Sequence, residues 1–422
     1  MLEQTEKNYR LGRWMYILEA AFEHLFHLLV AGSFLATITR ELGMSDSLTG
    51  IISSIISLGC LFQLLSVPIR PQRQKPLVVI LSIVNQLLFL SLYMIPLSGA
   101  GKNAKIGAFI TAIFLAYLIY YIAHPKKINW LMSLVDDHHR GSFTANKEII
   151  SLLAGMAFSF GMGVLVDFFA EKDQIRMAFV LSALVLLGLT VLHTASMLLT
   201  VEKPSPVYAR EKILQRMKGL LKNKKIVRVA AVFILYYLST YCATPFYGTY
   251  LIDEMAFSMK LITGLSMLGS ISRIVASKFW GRYADRTSFA EMVKRSLLVM
   301  ALGYLCMALA SPATGVVFYT LYILLHGVAL GGVNSAMINL VFDYAPPEQR
   351  ADALAICQAM AGVAGFLATL AASPLITYIQ EKGNCFLGLP LYAQQIVSVI
   401  SVIFVICAIF CVRVIERETK NE

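Results

Sequence analysis

Of the chain's 422 residues, 58% are hydrophobic and 14% are charged, and the mean hydropathy is +0.69. Those values exclude a soluble globular domain of this length. The net charge of +11 would suit a nucleic-acid partner if the cations clustered on one soluble face, so their placement along the chain decides what they mean.

Twelve apolar runs lie along the sequence in two sets of six: 14–38, 47–67, 77–97, 106–135, 143–169 and 177–199, then 227–252, 261–280, 296–310, 315–342, 354–379 and 392–414. About 20 apolar residues cross a bilayer at the helical rise. Inside lipid the backbone must satisfy its own hydrogen bonds, as a helix or as a closed barrel. Barrel strands are about ten residues long and alternate in polarity, and these runs do not alternate. The sequence therefore predicts an all-α integral membrane protein with twelve transmembrane helices.

When the loops are assigned alternately to two sides, 25 of the 36 Lys and Arg residues fall on the side of both termini and 7 in the opposite loops. Lys126, Lys127, Arg273 and Lys278 fall within or at the edge of helices. Basic residues collect on the cytoplasmic side. Both termini are thus expected in the cytoplasm of a multi-pass cell-membrane protein, with the cations against anionic lipid heads and no nucleic acid bound. Arg10 and Arg13 precede the first run as in a signal peptide, but Glu19 and Glu23 interrupt that run and no small-residue cleavage site follows. There is no Asn-x-Ser/Thr sequon and no long outer loop, which favours a bacterial cytoplasmic membrane. Of the seven cysteines only Cys385 lies in an outer loop, so no disulfide framework is implied.

Residues 200–228 hold nine of the cytoplasmic cations, with Pro204 and Pro206 near the start. Their middle, 210–221, reads as a short amphipathic helix on the membrane surface. This linker joins an N-terminal half, 1–199, to a C-terminal half, 229–422, and the halves look like copies. The fourth run ends in Leu134-Val135-Asp136-Asp137-His138-His139-Arg140-Gly141; the tenth ends in Leu340-Val341-Phe342-Asp343 and then Pro346-Pro347-Glu348-Gln349-Arg350. Gly155 and Gly365 each follow their arginine by fifteen residues, an offset of 210 between the halves. Duplicated halves with a site between them near the midplane are a pattern of secondary transporters.

The loop after the eighth run reads Gly281-Arg282-Tyr283-Ala284-Asp285-Arg286. It resembles the Gly-x-x-x-Asp-Arg signature of the major facilitator superfamily, in the second of its two usual places. The first place, Arg70-Pro71-Gln72-Arg73-Gln74-Lys75, keeps the basic character but lacks the glycine and the aspartate. Arg140 and Arg350 match the family's paired loops after helices four and ten. The resemblance implies two pseudo-symmetric six-helix halves that rock about a central cavity lined by helices one, four, seven and ten. It also implies a cytoplasmic cluster that stabilises the state closed to the cytoplasm. Gly281 would permit a tight turn. Asp285 would face the N-terminal end of a neighbouring helix, the eleventh near Ala351, and Arg282 and Arg286 would hold the cytoplasmic ends together. An ordinary basic turn is the alternative reading of this loop.

The four cavity helices carry the polar residues of the membrane interior. On the first, Glu19, Glu23 and His27 lie at i, i+4 and i+8, along one face. An unpaired charge at a helix centre costs roughly 3 kcal/mol, so this stripe should face protein or water. On the fourth, Tyr120, His124 and Lys127 lie at i, i+4 and i+7, with Lys126 adjacent and Pro125 expected to distort the helix. Glu23 and Lys127 are each about 12 Å inside their cytoplasmic ends at the helical rise, which predicts a pair between Glu23 and Lys126 or Lys127. Three roles stay open. The cluster is a structural network, or a carboxylate for which a proton and a lysine compete, or a site where the lysines and His124 bind an anionic substrate.

In the second half, Tyr237, Thr240 and Tyr241 on the seventh helix and Tyr322, His326 and Asn334 on the tenth suit the walls of a small-molecule cavity. Tyr247 and Tyr250 read as interfacial anchors. Arg273 is either a structural partner or a substrate contact. Gly155, Gly161 and Gly163 on the fifth helix allow close helix approach. Phe160-Gly161-Met162-Gly163 lacks the proline usual in the family's drug–proton antiporters, which weakens an antiporter reading.

Asp136, Asp137, His138 and His139 form one contiguous loop run rather than a metal site, and no phosphate-cradling loop or nucleophile-and-base set stands out. No enzyme activity, metal or cofactor is expected. The expected function is secondary active transport of a small-molecule substrate by alternating access, coupled to protons, in a monomer surrounded by membrane lipids. An uncoupled facilitator, a lipid or drug exporter of the same fold, and a transporter-like sensor are the alternatives.

Overall fold

The computed structural model describes residues 2–44, 52, 59–69, 73–203, 219–220, 222–257, 259–386 and 388–421. Two helices, α1 (Leu2–Leu29) and α2 (Gly32–Glu41), share the first apolar run. They are followed by α3 (Gln74–Met94), α4 (Lys102–Met132), α5 (Arg140–Ala170), α6 (Ile175–Leu199) and α7 (Lys224–Ala243). Then come α8 (Met259–Arg286), α9 (Phe289–Ala308), α10 (Gly315–Tyr344), α11 (Arg350–Glu381) and α12 (Ala393–Asn421). A two-stranded antiparallel hairpin, β1 (Cys385–Phe386) with β2 (Leu389–Pro390), links the last two helices.

Among the described residues eight helices, α3–α7 and α10–α12, are long and apolar enough to cross a bilayer, and α1 with α2 makes a ninth as a bent pair. Charge explains why two more predicted runs fall short. The α8 helix carries Arg273 and Lys278, and α9, only 20 residues long, opens with Glu291, Lys294 and Arg295. The second predicted run lies largely outside the described residues; its end is a 3-10 helix, Gly59–Ser66, packed on α4. Most of the amphipathic linker segment 210–221, and residues 70–72 of the first signature place, are also outside them.

The chain divides into two units, Met1–Asp136 with Lys147–Ala209, and Asp137–Asn146 with Arg210–Glu422. In the first, α3 packs on α4 and α6, and α6 packs on α1. In the second, α9 packs on α10 and α12, and α12 packs on α7. This is the same arrangement six helices later. The repeated glycine keeps its neighbour too: Gly155 of α5 lies against His24 of α1, and Gly365 of α11 against Tyr237 and Tyr241 of α7. Inside each unit Phe, Leu and Tyr side chains interdigitate, as Phe26, Phe89, Phe109 and Phe179 do in the first. In lipid such packing, rather than escape from water, holds helices together.

Several expectations need correction. The first run is not one helix, because it bends by 40° between α1 and α2. The seventh ends as an α-helix at Ala243 and continues through a 3-10 turn, Thr244–Phe246, into a π turn, Tyr250–Glu254. Pro245 supplies no N–H there, so the regular ladder cannot continue. Pro125, by contrast, sits inside an unbroken α4. Among the described residues a Cβ on Gly161 or Gly163 would meet nothing within 4 Å; Phe160 and Val164 are 72% and 54% exposed, while Met162 between the glycines is buried.

Candidate functional site

In the first unit α1 presents Glu19, Glu23 and His27 toward α4 and α6. Lys127 of α4 enters between the two acids. Its Nζ is 2.8 Å from Glu19 Oε1 and also contacts Glu23 Oε2. From α6, His193 Nε2 comes within 3.1 Å of Glu19 Oε1. The Tyr120 hydroxyl donates to Glu23 Oε1 at 3.4 Å, and Lys127 stands 5.9 Å from the Tyr120 ring centre. The two acids differ in access, the Glu19 side chain being 1% exposed and that of Glu23 20%. Lys126 is buried as well.

Glu23, His27, Tyr120, His124 and Lys127 line a small cavity together with Ser82, Asn85 and Gln86 of α3. Its volume is about 10 Å³, which is room for roughly one water. His27 packs edge-on against Tyr120 at 4.6 Å and Phe89 at 5.8 Å. Gln86 Oε1 and His124 Nδ1 are buried with no hydrogen-bond partner among the described residues. Polar atoms left so are costly in a low-dielectric interior unless water or a ligand meets them. Glu19, Glu23 and His193 also bring one donor atom each within 4.8 Å of one another. That spacing would admit a metal ion, but the Lys127 ammonium already touches both carboxylates and acts as the resident cation.

His193 and Lys147 were not singled out from the sequence. An ionisable residue inside an apolar run is itself the signal, and His193 lies within 177–199. Lys147, near the start of 143–169, counts with the cytoplasmic cations by its place in the sequence. It reaches Tyr16 instead, donating to the hydroxyl at 3.3 Å with its Nζ 4.8 Å from the ring centre.

The second unit gathers rings where the first gathers charge. Tyr322 stacks on His326 at 5.1 Å, and Tyr304 of α9 lies 6.2 Å from Tyr322 and 6.0 Å from His326. Tyr237 stacks on Tyr241 at 5.5 Å. The Tyr304 hydroxyl and the Thr240 Oγ1 face each other, and the His326 Nδ1 is buried without a hydrogen-bond partner among the described residues. Asn334 is exposed and Arg273 is half-buried. Tyr247 and Tyr250 are not interfacial anchors, being 4% and 0% exposed. The turn at Pro245 carries both inward, where Tyr247 shares a 2.7 Å hydrogen bond with Ser398 and Tyr250 donates to the Ala310 carbonyl at 2.8 Å.

At the far end of α8, Asp285 receives the Gly141 N–H at 2.8 Å, the Ser142 N–H at 2.9 Å and the Ser142 hydroxyl. It therefore caps the first turn of α5, not of α11 as expected. Gly281 and Gly141 let the two helices touch: a Cβ on either would come within 2.7 Å of the other's carbonyl oxygen. The first turn of α11 carries its own acid, Asp352. Arg140 donates to Asp343 at 2.8 Å and lies 5.6 Å from the Phe289 ring centre. Arg350 turns back on its own loop, donating to the Phe342 carbonyl at 3.1 Å. Arg282 and Arg286 do not join this brace. Each follows Gly281 or Asp285 by one residue, about 100° around the helix, and both are exposed.

Residues 20–369 match the family model of the Major Facilitator Superfamily. No curated protein matches the sequence. Among solved structures the chain is similar to a bacterial homologue of the iron transporter ferroportin in an outward-facing state, with a TM-score of 0.70 and 15% identity over 98% of this chain and 99% of that one. It is similar to the human organic anion transporter MFSD10 (TETRAN), at 0.68 and 13% over 96% and 99%. It is also similar to the Escherichia coli fucose:proton symporter FucP, at 0.69 and 13% over 96% and 98%. The chain belongs to the major facilitator superfamily and has its fold, twelve transmembrane helices in two pseudo-symmetric halves. It is a membrane transport protein.

Proposed function

We propose that this member of the superfamily is a secondary active transporter that moves a small solute by alternating access, coupled to protons through Glu23. The observation that carries the reading is that two carboxylates share one lysine and are not equivalent. Glu19 is enclosed by Lys127 and His193, whereas Glu23 opens on the polar cavity. Two carboxylates crowded on one ammonium repel each other, which is costly away from water. A single proton relieves it, and the reachable carboxylate takes that proton. Lys127 then rests on Glu19 alone, and when Glu23 ionises it bridges both.

Direct binding of an anionic substrate by Lys127 is the weaker reading, because two carboxylates already claim it. The stacked Tyr322–His326 and Tyr237–Tyr241 pairs, with the unmet His326 Nδ1 in the first of them, are assigned to substrate contact. The Asp285 cap and the Arg140–Asp343 pair form a cytoplasmic brace that opens during the cycle. The similarity in fold to a fucose:proton symporter fits proton coupling. The charge distribution assigns both termini to the cytoplasmic face of a cell membrane, and the working unit is taken to be a monomer.

The test is proton movement in proteoliposomes holding a pH-sensitive dye. Wild type and Glu23→Gln are challenged with pools of sugars, amino acids, organic acids, cationic drugs and divalent metal ions. One pool should move protons with wild type and not with the variant. Solute entry without proton movement would make the cluster structural and the protein a facilitator.

A further inference from the structure

The outer face of α8 carries a groove that plays no part in the transport cycle proposed above. Val275, Lys278, Phe279, Arg282, Tyr283 and Arg286 line it, around about 360 Å³. Their spacing keeps them on one side of the helix, with Gly281 on the other side and Asp285 at the edge next to Lys278. Val275 is 70% and Phe279 62% exposed, and Lys278, Arg282 and Arg286 are exposed as well. Among the described residues no carboxylate pairs with any of these three cations. The nearby acid, Glu291, receives the Tyr283 hydroxyl at 3.5 Å and is engaged by Lys294 and Arg295.

Away from the cations three large apolar side chains of α8 are exposed, with Thr263 and Ser266 beyond them. Ile271 is 48%, Leu268 36% and Met267 50% exposed. Phe279 and Tyr283 stack at 6.1 Å between the two zones. Aromatic rings favour the boundary between head groups and hydrocarbon, and arginine is suited to bidentate contact with phosphate. A soluble anion would have no use for the apolar track, and a lipid without net charge would have no use for three unpaired cations.

We infer that this groove binds an anionic phospholipid. Lys278, Arg282 and Arg286 hold its phosphate, and an acyl chain lies over Phe279, Val275 and Ile271. The assignment rests on α8 lying in the membrane and not on the proton-coupling reading.

The experiment is native mass spectrometry of the full chain released from nanodiscs containing equal phosphatidylglycerol and phosphatidylcholine. Each basic residue near a membrane surface is worth about fivefold in affinity for anionic lipid. The Lys278→Gln/Arg282→Gln/Arg286→Gln variant should therefore lose phosphatidylglycerol adducts by roughly tenfold or more. A Lys222→Gln/Lys224→Gln variant should keep them, and free glycerol 3-phosphate should not displace them. If the triple variant does not fold, Arg286→Gln alone, at the last residue of α8, should lower retention about fivefold. Equal retention by the neutralised variants, or equal retention of phosphatidylcholine by wild type, overturns the inference. Displacement by free glycerol 3-phosphate overturns it in favour of a soluble-anion site.

Discussion

The two units share a scaffold and differ in what fills it. The offset of 210 residues that relates Arg140 to Arg350 also carries Glu19, Glu23 and Lys127 onto Val229, Phe233 and Met337. Val229, Phe233 and Met337 are buried, as are Glu19 and Lys127. The same helix packing is thus achieved once around an ionic cluster and once with apolar side chains. Burying an ion pair seldom stabilises a protein more than apolar packing of the same volume. The second unit therefore teaches that the scaffold does not need these charges, which leaves a functional reason for their presence in the first.

The largest expected effect comes from breaking the cluster on one side only. Lys127→Met leaves the buried Glu19 and the half-buried Glu23 without their shared ammonium and should cost about 3–5 kcal/mol, read as a lower melting temperature of the purified chain. Making the first unit resemble the second, with Glu19→Gln, Glu23→Gln and Lys127→Met together, should restore most of that stability while abolishing proton movement. A triple variant as unstable as the single one would contradict the comparison.

Next comes the brace at the end of α8. Asp285→Asn removes charge and acceptor capacity from the Gly141 and Ser142 N–H groups and should cost about 1–3 kcal/mol in thermal unfolding. Gly281→Ala should cost a similar 1–3 kcal/mol, because backbone atoms must move to admit the methyl group. On α5, Gly161→Ala meets nothing within 4 Å among the described residues and should be neutral or slightly stabilising, by up to about 1 kcal/mol. The smallest effect is expected within the second unit's rings. Tyr247→Phe gives up the bond to Ser398 and should cost about 1 kcal/mol, with the proton signal unchanged.

Apolar run length made most of the spans legible in the sequence, and the Arg140 and Arg350 loops exposed the duplication. Equal depth on two helices was enough to bring Glu23 to the level of Lys127. The inequality of the two acids was not legible, because it depends on which side chains α6 brings to α1. His193 closes off Glu19 across 174 positions of sequence, and no local pattern encodes that. The partner of Asp285 was hidden for a similar reason. A loop acid signals that some helix start is near, but the Gly281–Gly141 contact decides which one. Tyr247 and Tyr250 looked interfacial by distance along the run, until the break at Pro245 turned them inward.

The most direct test of the account needs no substrate. Infrared difference spectra across a pH titration of the purified chain report the carbonyl stretch of a protonated carboxyl group, and wild type, Glu19→Gln and Glu23→Gln can be compared. If Glu23 carries the proton, a titrating band in wild type persists in Glu19→Gln and disappears in Glu23→Gln. A band lost only in Glu19→Gln, or no difference among the three proteins, would contradict the assignment of the proton to Glu23.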